Sequence, residues 1–122
     1  RDLLVSPQHR MLCRGARAQL LFSESEVLVP ALHLLGTPDA TRQAGGTVTY
    51  VHLLFDRHEV IFAEGAASES FHPGHVGVDG ILAPAREELF RIFPELRADM
   101  AAYGPTARLC LKKHEARLLA AA

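Results

Sequence analysis

The sequence predicts a mainly β fold of short antiparallel strands, followed by a small helical C-terminal appendix. Three observations carry that expectation. The first two thirds of the chain fall into short apolar runs separated by Gly, Pro and Ser, the punctuation of strands and turns. The stretch "TVTYVHLLF" at 47–55 is the densest run of β-branched and aromatic residues, which suit a pleated, half-buried surface. Beyond Gly80 the apolar spacing becomes helical, in "PAREELFRIF" and again in "CLKKHEARLLAAA". No βαβ rhythm accompanies these runs. The expected organisation is a β body over 1–80, with 81–122 as a helical extension packed on it.

Each element has its own reason. Runs 2–5 (DLLV) and 10–13 (RMLC) read as strands on either side of the turn-forming "SPQ". After Gly15, runs 18–22 (AQLLF) and 26–29 (EVLV) read as two more strands. Pro30 suits the start of one helical turn through "ALHLL", which Gly36 ends, and "GTPDATRQAGG" is a loop by composition. The long run 47–55 then pairs with "EVIFAEG" across "DRH" as an antiparallel hairpin, the return strand covering 59–64. The first helix is expected near 84–93, with Ala85, Leu89, Ile92 and Phe93 on one face and Pro84, Glu87 and Glu88 in its first turn. A second is expected over 111–120, with Leu111, Ala116, Leu118 and Leu119 near one face.

Composition narrows the function classes. A chain of 122 residues, 48% apolar and 22% charged, can bury enough surface for one autonomous domain. The formal net charge of −1 with His neutral gives no electrostatic footprint for nucleic acid, which is not an expected partner. No apolar run approaches the ~20 residues that span a bilayer. Cys13 and Cys110 lie at opposite ends of the chain. They form neither a zinc-ribbon nor a thioredoxin spacing, and their aliphatic neighbours fit buried free thiols.

Three groups of residues can carry chemistry. Ser6 and His9 stand three apart across a Pro-containing turn, where a hydroxyl can orient a bond and an imidazole can move a proton. A turn-capping Ser beside a surface His reads the same way. In "VHLLFDRHE", His52 and His58 flank the expected hairpin, with Asp56 beside them. Strand alternation puts His52 on the same face as Tyr50. Exposed hairpin residues would again give this pattern. Third, His72 and His75 in "ESFHPGH" can join His52 or His58 as imidazole ligands of a divalent cation. Neither an H-E-x-x-H nor a deaminase spacing is present, so neither a metal nor a cofactor is expected.

Order and spacing together resemble a known family. "LLVSPQHRML", then "VLVPALHLLG", then "VTYVHLLFDRHEVIFAEGAASES" is similar to the Hint family, the fold shared by inteins and Hedgehog autoprocessing domains. Ser6-Pro7-Gln8-His9 occupies the place of that family's Thr-x-x-His motif, with Ser for Thr. "VPALHLLG" at 29–36 resembles its "v-x-A-x-x-L-x-x-G" segment. "YVHLLFDRHEVIFAEG" at 50–65 resembles its Tyr-(Asp/Asn)-Leu strand and "yFA-x-G" return, placing His52 near the Asp/Asn position and His58 at the His. The closest subgroup is the bacterial Hint_2 type, in which a helical tail follows the "SESFHPG" segment. The resemblance covers about residues 1–75.

What the resemblance implies is self-processing. A Hint domain activates a Cys, Ser or Thr that attacks the preceding carbonyl and converts a peptide bond into a (thio)ester. His9 inherits the role of protonating the scissile amide nitrogen, Ser6 that of orienting the bond, and His58 and His52 a supporting place in the same pocket. The nucleophile belongs to a segment upstream of the Thr-x-x-His motif, so the expected partner is an upstream segment of the same polypeptide. The chain is accordingly expected to be the C-terminal part of a larger Hint domain, inert in isolation. "AASESF" lacks the terminal Asn of inteins, which points to N-terminal cleavage or ester formation rather than complete splicing.

Overall fold

The apolar run that follows the "SPQH" turn forms strand β1, Arg10–Arg14. The computed structural model describes residues 3–37, 40–43, 45–46, 53–76, 81 and 83–120. Gly15, at φ 138°, turns the chain out of β1 and into helix α1, Ala16–Phe22. Here the expected strand over 18–22 is corrected. "ARAQLLF" is rich in strong helix formers, and Ala18 and Phe22, four apart, are the pair that packs inward. Leu20 is left 83% exposed. Ser23 closes the helix in the left-handed region and donates its N–H to the Gln19 carbonyl.

Strand β2, Glu26–Pro30, then returns beside β1 in a full antiparallel register from Arg10↔Pro30 to Arg14↔Glu26. One 3-10 turn, Ala31–Leu34, follows it. The stretch expected as strand 2–5 makes no strand over 3–5. Of the run 47–55, residues 47–52 lie outside the described residues, and 53–55 are irregular.

Strand β3, Val60–Ala63, is the return strand the sequence predicts, and among the described residues its neighbour is one the sequence reading did not name. It pairs with strand β4, Ala66–Glu69, in register from Val60↔Glu69 to Ala63↔Ala66. Glu64 and Gly65 make the connection with φ of 51° and 78°. Positive φ at both central residues is what a tight right-twisted hairpin needs. β4 lies against β1 through Met11↔Ser68. A two-residue strand β5, Leu109–Cys110, runs parallel to β2. The sheet order is therefore β3-β4-β1-β2-β5.

A one-turn helix α2, Pro73–Val76, follows β4. The C-terminal third holds helix α3, Ala83–Ile92, 3-10 turns at Pro94–Arg97 and Met100–Tyr103, and helix α4, Lys113–Ala120. Glu115 reaches back to accept the Lys112 N–H, 2.9 Å away, which satisfies a donor left over at the helix start. Both helices sit where the sequence puts them, although their buried faces are rotated. In α3 Leu89 and Phe90 are buried while Ile92 is exposed; near α4 Leu111 and Ala116 are buried while Leu118 is exposed.

Two apolar clusters result. One gathers Ala18, Val27, Val29, Leu111 and Ala116 between the sheet, α1 and α4. The other joins Leu89, Phe90, Leu96 and Tyr103. Strand alternation sends Leu28 to the face opposite Val27 and Val29, yet all three are fully buried, as befits a strand flanked by β1 and β5. The sheet organises the chain, so the mainly β expectation stands. Within the β portion itself, however, lies helix α1.

Candidate functional site

The Ser6–His9 turn is closed by the His9 N–H, which donates to the Ser6 carbonyl at 3.1 Å. Ser6 and His9 are half-buried, whereas Pro7 and Gln8 are exposed. The 3-10 turn after β2 fastens this turn from the other side. The Ala31 N–H donates to the His9 carbonyl at 2.8 Å, and the Leu32 N–H to the Pro7 carbonyl at 2.9 Å. Thus "SPQH" and "VPALHLL", distant in sequence, meet through main-chain bonds.

His58 stands differently. It precedes β3 and is only 3% exposed. Its Nδ1 accepts the Ala107 N–H at 2.8 Å, so the proton of the neutral ring sits on Nε2. That N–H donates to Glu69 Oε1 at 3.0 Å. Glu69, at the end of β4, offers its other oxygen to the Arg10 N–H at 2.8 Å, with the Arg10 guanidinium 3.8 Å away. One buried carboxylate therefore joins His58 to the residue that follows His9.

His72 repeats the pattern. Its Nδ1 accepts the Gly74 N–H at 3.1 Å, and its Nε2–H donates to the Gly104 carbonyl at 3.0 Å. Gly74 fits closely: a Cβ there would lie 3.0 Å from the His72 ring carbon Cε1, so the ring would have to give by a few tenths of an ångström. The rings of His58 and His72 meet edge to face at 5.1 Å, and those of His72 and Tyr103 at 5.0 Å. Tyr103 donates its hydroxyl to the Phe55 carbonyl. Beside this column Ser70 pins the start of β3, accepting the Glu59 N–H at 2.9 Å.

Charge follows from these surroundings. Burial pushes the Glu69 carboxyl up, but the hydrogen bonds from His58 and the Arg10 N–H, with the Arg10 guanidinium, outweigh it and hold the group below its ordinary value. Burial holds His72 below the ordinary imidazole value; the Gly104 carbonyl opposes this and the neighbouring His58 adds to it. Burial likewise raises the Tyr103 hydroxyl and the Cys110 thiol. Both cysteines are free thiols.

Of the residues singled out in the sequence, the structure brings His58 and His72 together and links His58 through Glu69 to Arg10. Ser6 and His9 share their turn. His52 lies outside the described residues. Among the described residues no three His, Cys, Asp or Glu side chains converge to hold a metal ion, and no helix is long and apolar enough to cross a membrane. Glu69, Tyr103 and the backbone at Gly104 and Ala107 escaped the sequence reading. The one available signal was the polar "SES" set between apolar strands.

A turn bearing Ser and His, docked against the start of a short-stranded sheet and tied to a buried histidine by a carboxylate, defines a β domain with an organised polar site. Comparison with known families gives its place. The family model described as a Hint domain, of the Hint_2 kind, matches residues 1–75, more than half of the chain. The chain belongs to the Hint domain family. Neither the curated proteins nor the solved structures yield a match.

Proposed function

We propose that this chain is the C-terminal part of a bacterial Hint autoprocessing domain whose parent polypeptide cleaves itself or forms a (thio)ester at its N-terminal junction. On this reading residues 1–80 belong to the Hint body and 81–122 form an extension packed on it. The nucleophile comes from an upstream segment of the same polypeptide. Its oxygen or sulfur attacks the preceding carbonyl carbon, and the C–N bond breaks as His9 delivers a proton to the departing nitrogen. The proton given up by the nucleophile's O–H or S–H restores the one His9 lost. The products are a (thio)ester and a free amine. Ser6 orients the scissile bond from the same turn.

His58 plays a different part. Both of its ring nitrogens are bonded within the chain, so it orients the site rather than carrying the proton, with His52 assigned to the same supporting role. The observation that carries this reading is the half-buried Ser6–His9 turn, closed on itself and clamped from the far side by Ala31 and Leu32. A turn whose backbone is fixed in this way has little reorganisation left to make.

The test is thiol-induced cleavage of the parent polypeptide, followed by gel electrophoresis and mass spectrometry. A fragment pair ending at the junction upstream of the Ser6–His9 turn is expected. The 122-residue chain alone should stay intact. A parent that is never cleaved would remove the reading and leave a structural Hint domain.

A further inference from the structure

We infer that Glu69 is the positioning residue of this site, a carboxylate that locks the His58 ring with one oxygen and the peptide unit after His9 with the other. The inference rests on the self-processing reading and deepens it.

The geometry is specific to a carboxylate. Oε1 accepts from His58 Nε2–H at 3.0 Å, and Oε2 accepts from the Arg10 N–H at 2.8 Å. The peptide between His9 and Arg10 is one planar unit. Its N–H is held by Glu69 and its carbonyl by the Ala31 N–H at 2.8 Å. Pinned on both edges, that plane fixes how the chain leaves His9. Glu69 is 7% exposed, so water does not readily substitute for it.

No neutral residue satisfies both partners. A Gln at 69 has one accepting oxygen, and its amide nitrogen would face a second donor, whichever way it is turned. Switching the His58 tautomer gives no escape. Nδ1–H would then face the Ala107 N–H, which now donates to Nδ1 at 2.8 Å. An Asp keeps the charge but is a methylene too short to span both partners. The same carboxylate thus anchors the Nε2–H that the Ala107 bond leaves on His58 and aims the turn that carries Ser6 and His9.

The test uses Glu69→Gln and Glu69→Asp in the 122-residue chain and in its parent. In the chain, nitrogen-15 NMR reads the His58 tautomer and hydrogen exchange reads the Arg10 amide. The His72 tautomer, whose partners are Gly74 and Gly104, serves as the control for intact folding. In Glu69→Gln the Arg10 amide should exchange about tenfold faster or more, the factor expected for one lost hydrogen bond, with His72 unchanged. Should the Gln variant not fold, Glu69→Asp must show the same loss at Arg10. Wild-type exchange at Arg10 together with a wild-type His58 signature in the folded variant overturns the inference.

In the parent, either variant should cleave roughly 10–100-fold more slowly, the scale of a small misplacement in an oriented site. A wild-type cleavage rate beside a loosened Arg10 also overturns it. A wild-type parent that does not cleave overturns the functional reading instead, while the NMR result in the chain still decides whether Glu69 positions His58 and Arg10.

Discussion

The Ser6–His9 turn and the His58–His72 column both present histidine, but they are held in opposite ways. The turn is half-buried, and the bonds that shape it run between main-chain groups of residues 6–9 and 31–32. In the column the imidazoles themselves are the fastening: each ring accepts a backbone N–H at Nδ1 and donates from Nε2. A ring used as a strut has no nitrogen left for a substrate. The bonds that fix the His9 turn are those of its backbone. Glu69 links the two regions, one oxygen accepting from the His58 ring and the other from the N–H of Arg10, the residue that follows the turn.

That contrast predicts where mutations hurt. The largest stability loss is expected for His58→Ala, which strips the buried Glu69 carboxylate and the Ala107 N–H of a partner. The lost hydrogen bond to a buried carboxylate costs about 1–3 kcal/mol, the cavity left by the ring adds to it, and a urea melt of the 122-residue chain should show the sum. His9→Ala, at a half-buried position whose turn is held by backbone bonds, should lose less than His58→Ala in the same melt. A His9 variant as unstable as the His58 variant would erase the distinction.

Gly74→Ala comes next. Its Cβ would press on the His72 ring, and overpacking of that kind costs about 1–3 kcal/mol. Tyr103→Phe removes one hydroxyl donated to Phe55 and keeps the ring, for a smaller loss of about 0.5–1.5 kcal/mol. Both should alter the His72 tautomer or its exchange while leaving the Arg10 amide untouched.

Acid sharpens the comparison further. The folded His72 value lies below the ordinary 6.5, so just below that pH the unfolded chain binds more protons. Its contribution to stability is complete above 6.5 and is lost as pH falls through the lowered folded value. The folded Glu69 value lies below 4.5, so its contribution is present above 4.5 and is lost as pH falls through that lowered value. Melts at stepwise lower pH should therefore show falling stability from near 6.5 downward, with the column loosening. A stability flat from neutral to pH 4 would contradict a His72 held below its ordinary value.

Much of this was legible in the sequence, and the failures have physical reasons. "RMLC" and "EVLV" were readable because Gly, Pro and Ser bracket them, and the two C-terminal helices because their spacing is helical. "AQLLF" misled because a short apolar run fits either a strand or a helix, and only the Ala18–Phe22 contact decides between them. The β3–β4 hairpin escapes a sequence reading because "EG", with both residues at positive φ, joins β3 to a strand of Ala, Ser and Glu that carries little β signal. Ser6, His9 and His58 could be named from residue type and order. Glu69 could not, since a carboxylate between two serines reads as surface. The Ala107 N–H and Gly104 carbonyl leave no mark in any sequence, being backbone groups that every residue shares.

The central claim is that His9 acts and His58 supports. Thiol-induced cleavage of the parent polypeptide, wild type against His9→Ala and His58→Ala, tests it most directly when rates are measured at a temperature where all three remain folded. Loss of a general acid costs typically 10²–10⁴ in rate, about 3–5 kcal/mol of barrier, and that loss is expected for His9→Ala with a clearly smaller one for His58→Ala. Unchanged cleavage in His9→Ala, or a greater loss in a folded His58→Ala, would contradict the account.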